Sequence, residues 1–134
     1  MAKGLETHRE RQNKLSLLGK ELTRRSRAKC ELCTNSGVPL SIYEVPIAPK
    51  EPELERVLHL CNACVGQLEK PKSIQPNHWR ILSETIWSEL PAAQVISVRL
   101  LKNIARSEHW AQEILEGAFL DEDLTTWINE TSIG

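Results

Sequence analysis

The chain has 134 residues, 40% of them hydrophobic and 26% charged, a composition that supports a packed core and excludes a compositionally disordered polypeptide. No stretch approaches the roughly 18 apolar residues of a membrane helix. The opening MAKGLETHRERQNK has no apolar segment after its charges and does not read as a signal peptide. The expectation is one domain's worth of cytoplasmic protein with no membrane partner.

The formal net charge of −1 conceals a division along the chain. Residues 1–29 carry nine Lys/Arg against three Glu, giving +6, and the remainder carries eight against fifteen Asp/Glu, giving −7. Residues 1–27 form a basic N-terminal segment, helical over 5–28, with Leu15, Leu18 and Leu22 as its apolar stripe and Gly19 interrupting it. The first dozen residues offer only Ala2 and Leu5 for burial, so that part is expected to fray. Arg9, Arg11, Lys14, Lys20, Arg24, Arg25, Arg27 and Lys29 are candidate nucleic-acid contacts. Reversing Arg24 and Arg25 to Glu is expected to leave the fold intact. The alternative is a solvated basic helix folded back on an acidic body, because Glu interrupts the run and no aromatic lies in it for base stacking.

Residues 28–70 hold all four cysteines, as Cys30-Glu31-Leu32-Cys33 and Cys61-Asn62-Ala63-Cys64. In a reducing compartment paired C-x-x-C units read as a metal site before they read as disulfides. Two residues between thiolates let a tight turn aim both sulfurs at one ion, and backbone N–H groups in the turn can donate to them. Four sulfurs in a closed tetrahedron favour one structural Zn²⁺, with iron as competitor. Lys29 and Arg56 are placed to offset the excess negative charge. The 27 residues between Cys33 and Cys61 divide into a turn, Thr34-Asn35-Ser36-Gly37, a strand over 38–45, a Pro-rich connector and a returning strand over 56–60. A short helix after Cys64 stops before Pro71.

Knuckle, hairpin, knuckle and helix describe a treble-clef or zinc-ribbon module. His59 and His78 are alternative ligands, although four sulfurs already fill the sphere and leave no position for a metal-bound water. The outline is similar to zinc-containing HNH-type nucleases, but LSIYEVPI at 40–47 lacks the histidine such an enzyme requires.

Residues 71–131 read as four short helices. Asn77 caps a helix through Leu90, with Trp79, Leu82, Ile86 and Leu90 on one face. Pro91 opens a second and largely apolar helix, Ser107 caps a third, and Asp121 caps a fourth. Trp79, Trp110 and Trp127 lie in register with apolar faces and are expected in the core, while Trp87 is out of phase and is expected at the surface. No Ser/His/Asp constellation or phosphate loop is present, so the reading leans away from an enzyme.

The strings SIYEVPIAP, LHLCNACVGQLE, NHWRILSETIWSELPAAQVISVRLL and WAQEILEGAFLDEDL together resemble the alkylphosphonate-utilisation-operon PhnA family in its form with an N-terminal zinc ribbon. The resemblance spans about residues 20–130. It implies that Cys30, Cys33, Cys61 and Cys64 are zinc-ribbon ligands and that the protein is bacterial and cytoplasmic. The chain ends at Thr131-Ser132-Ile133-Gly134, before the small β-rich domain of longer members, and its basic N-terminal extension exceeds the family minimum. The expected fold is α+β, a small zinc-ribbon β-hairpin module packed with a mostly helical remainder. The expected function is a non-enzymatic interaction or adaptor module with an unknown protein partner. A nucleic-acid-binding zinc protein is the alternative, and an enzyme of phosphonate metabolism comes third.

Overall fold

The computed structural model describes residues 2–46, 49–118 and 120–131, with side chains from Arg9 onward. Two N-terminal helices, α1 (Ala2–Leu17) and α2 (Gly19–Ser26), meet at Leu18. The backbone is helical from Ala2, where the sequence predicts fraying. Two ion pairs tie the later half of α1 to the hairpin and its connector. Arg11 forks onto Glu44 (Nε to Oε2 2.8 Å), and Lys14 reaches Glu51 at 2.5 Å. The Leu5 side chain lies outside the described residues.

α2 ends in two consecutive left-handed residues, Arg27 (φ 55°) and Ala28 (φ 63°). Neither is glycine, so each costs about 1–2 kcal/mol of backbone strain. Together they swing the chain from the helix into the first cysteine turn.

The hairpin pairs β1 (Leu40–Glu44) with β2 (Val57–Cys61), antiparallel, from Leu40 opposite Cys61 to Glu44 opposite Val57. Both faces are covered. Val57 and Ile42 pack with Leu15, Leu18 and Leu22 of the N-terminal helices. Leu58 and Leu60 turn the other way, into the main core. A strand buried on both faces loses the polar alternation of a surface hairpin, and Val57-Leu58-His59-Leu60-Cys61 does so.

α3 (Asn62–Glu69) follows β2 directly. The predicted helix from Asn77 to Leu90 is replaced by a 3₁₀ segment (Pro76–Ile81), with Gln75 rather than Asn77 at its N-cap, and one α-turn, α4 (Leu82–Thr85). The Gln67 side-chain oxygen, Oε1, explains the change. It accepts from the Gln75 N–H at 2.8 Å and the Trp79 Nε1–H at 2.7 Å, drawing the chain into a tighter turn. Residues three apart eclipse in a 3₁₀ helix, so Trp79 and Leu82 both enter the core.

α5 (Pro91–Ile104) is the central helix, and nine of its 14 residues are buried, more than a one-faced surface helix hides. α6 (His109–Gly117) and α7 (Glu122–Glu130) pack on it. The N-cap of α6 is Glu108 rather than Ser107, and the N–H groups of both residues bond the Ile104 carbonyl (3.0 Å from Ser107, 2.9 Å from Glu108) to complete the preceding turn. Asp121 is the N-cap of α7, but its side chain makes no capping bond, and its carbonyl accepts from Leu124 instead. Trp79 is fully buried, Trp127 nearly so, Trp110 lies at the core margin, and Trp87 is 56% exposed. The protein is α+β, seven α-helices and one two-stranded sheet among the described residues. No described helix is long and apolar enough to cross a membrane.

Candidate metal centre

The first knuckle is built by backbone bonds. Cys30 N–H donates to the Asn35 carbonyl and Thr34 N–H to the Cys30 carbonyl, each at 2.9 Å. Thr34 (φ 66°) and Gly37 (φ 72°) both take left-handed conformations, and glycine supplies the second without steric cost. The second knuckle needs no loop of its own. Cys61 ends β2 as the N-cap of α3, and Cys64 sits in the first turn of that helix.

These two turns bring the four sulfurs within 4.8 Å of one another. Cys30 to Cys64 and Cys33 to Cys61 are each 3.7 Å. A tetrahedral zinc ion with bonds near 2.3 Å requires sulfur–sulfur edges of about 3.8 Å, so the quartet has room for one such ion. All four cysteines are free thiols. The backbone N–H groups of Leu32, Cys33 and Cys61 favour the ionised form of Cys30, and that of Asn35 favours the ionised form of Cys33, as expected of turns that dilute thiolate charge.

The sulfurs are electrostatically interdependent. Hydrogen bonding with Cys64 holds the Cys30 thiol down to about 4 against the opposing effect of burial. The same hydrogen bond, reinforced by burial, pushes Cys64 strongly upward. Burial pushes Cys33 up to about 11. Four sulfurs this close cannot all ionise unaided, and a cation would displace the protons they share.

Other groups fall differently from expectation. Arg56 does not approach the sulfurs, since its guanidinium lies over the Trp127 ring, 4.3 Å from the centroid. Lys29 is exposed. His78 is an outer neighbour, its Nε2 3.3 Å from the Cys64 sulfur. His59 turns away from the quartet, its Nδ1 3.1 Å from the Ser26 hydroxyl.

The basic segment divides in two. Arg11, Lys14 and Arg25 make ion pairs within the chain. Arg9, Lys20, Arg24, Arg27 and Lys29 are exposed. Arg25 departs from the sequence expectation that it can be reversed freely. It forks onto Glu31 and donates to the carbonyls of Leu54 and Val57, both at 2.9 Å. Glu31, whose side chain is 3% exposed, also accepts the His59 N–H at 2.7 Å. This clamp was missed from the sequence, and the signal for it was a lone carboxylate inside the first cysteine pair.

No protein-family model, curated protein or solved structure matches the chain.

Proposed function

We propose that the four cysteines hold one structural zinc ion and that the protein is a zinc-ribbon interaction module similar to the PhnA family, acting in the bacterial cytoplasm. The observation that carries the reading is the pair of 3.7 Å sulfur separations in a quartet built from two turns. A sphere filled by four sulfurs leaves no coordination position for substrate or activated water, which favours a structural over a catalytic ion. Soft thiolates supply zinc with ligands that calcium or magnesium would not choose.

Elemental analysis of purified protein tests this directly. One zinc per chain, displaceable by cobalt with the absorption of a tetrahedral thiolate site, is the expected result. Iron in its place, or protein that folds fully without metal, overturns the assignment.

Exposure of Lys20, Arg24, Arg27 and Lys29 favours nucleic-acid binding as the second reading. Binding to an oligonucleotide that weakens steeply with salt, in proportion to the phosphates neutralised, would support it. Salt-insensitive retention of a protein partner would support the first.

A further inference from the structure

The two edges of the hairpin are not equivalent. Val45 N–H bonds the Arg56 carbonyl at 3.0 Å, in register with the ladder. That phase turns the backbone groups of Leu40 and Ile42 outward on β1, and those of Val57 and His59 outward on β2. The β2 edge is occupied. Glu31 N–H donates to the His59 carbonyl at 2.9 Å, the Glu31 carboxylate accepts the His59 N–H, and Arg25 donates to the Val57 carbonyl. On the β1 edge, Leu40 and Ile42 have no backbone hydrogen bond on their outer side among the described residues. Beside them opens a groove of about 600 Å³ lined by Lys20, Thr23, Arg24, Leu40, Ile42 and His59.

We infer that the outer edge of β1 binds an extended acidic peptide segment of a partner protein as a third strand. An open edge supplies main-chain affinity, and flanking pockets read alternate side chains. A strand laid beside Leu40 and Ile42 would present every second side chain to the groove, where Lys20 and Arg24 place two exposed cations and no carboxylate lines the wall. Ile42 and Leu40 supply the apolar floor. A nucleic acid would not use the outward N–H and carbonyl pair, and none of the groove's lining residues is a Phe, Tyr or Trp for a base to stack on. The proposal deepens the interaction reading of the module and rests on it.

The test uses the full, zinc-loaded chain and the blocked heptapeptide Glu-Val-Glu-Val-Glu-Val-Glu. Saturable binding is expected, with amide hydrogen exchange at Leu40 and Ile42 slowed at least tenfold and the all-lysine counterpart inactive. Lys20→Glu with Arg24→Glu should weaken binding at least tenfold. Ile42→Pro should abolish it, since the lost N–H faces outward and removes no β1–β2 bond. Should that variant misfold, the charge reversal and the amide protection decide. No saturable binding, or binding without protection at Leu40 and Ile42, overturns the proposal. So does protection of those amides by a concentration-dependent dimer, or tighter binding of single-stranded DNA. Metal content is measured on the same sample. Zinc-loaded protein that ignores the peptide defeats the edge assignment alone, whereas protein without zinc defeats the metal reading.

Discussion

Arg25 grips Glu31 through two parallel N–H···O bonds of 2.8 Å, across the left-handed turn at Arg27 and Ala28. The pair sits where α2, the first knuckle and β2 converge. Removing one partner leaves the other charge in a largely dry site, which typically costs roughly 3–5 kcal/mol when burial is complete. Arg25 retains 21% exposure, so Glu31→Ala should destabilise by about 3 kcal/mol, the lower end of that range. Urea unfolding measures it. Arg24→Glu alone should be nearly neutral and Arg25→Glu severe; equal effects would contradict the clamp.

Chelation should act on the whole protein. Cys30, Leu32, Cys61 and Cys64 belong to one apolar cluster with Trp79 and α5, and metal-binding free energy is folding free energy where the ligands are gathered only in the native state. A chelator, or Cys64→Ser, should therefore lower one cooperative thermal transition. Two separated transitions, with α5 melting unchanged, would show the module to be independent of the helical half.

His78→Ala should loosen the ion without unfolding the chain. Its Nε2 lies 3.3 Å from the Cys64 sulfur, and outer partners of metal ligands are typically worth 10- to 100-fold in affinity. Competition against a chromophoric chelator reads the change. Unaltered affinity would make the contact incidental.

Alkaline pH offers a further check. Burial, with the Glu69 charge adding, pushes the Tyr43 phenol above its ordinary value of 10.0. A raised folded-state value means the contribution is fully present below the unfolded value and is lost as pH rises through the folded one. Stability should fall from about pH 10 upward, and Tyr43→Phe should flatten that limb. Identical slopes in both proteins would remove Tyr43 as the cause.

Much of the fold is legible locally. Both knuckles follow from the C-x-x-C spacing, and α5 follows from apolar residues on most of its circumference. What escaped depends on distant partners. Nothing near Asn77 announces that Gln67 will draw Gln75 and Trp79 into a 3₁₀ turn, and the three- and four-residue spacing of Trp79, Leu82 and Ile86 suits either helix. The Arg25–Glu31 clamp depends on two non-glycine residues adopting left-handed φ, for which the sequence carries no glycine signal. Arg11 and Lys14 look like solvent-facing charges until their acceptors, Glu44 and Glu51, arrive from more than 30 residues downstream.

The hairpin is clad on both sides, by Leu15 and Leu22 beneath and by α5 above. It therefore cannot be lifted out as a detachable bead. Trimming either wing would strip an oily stripe bare, and a shortened version would have to repaint Val57 and Ile42, or Leu58 and Leu60, with polar side chains before it could stay in solution.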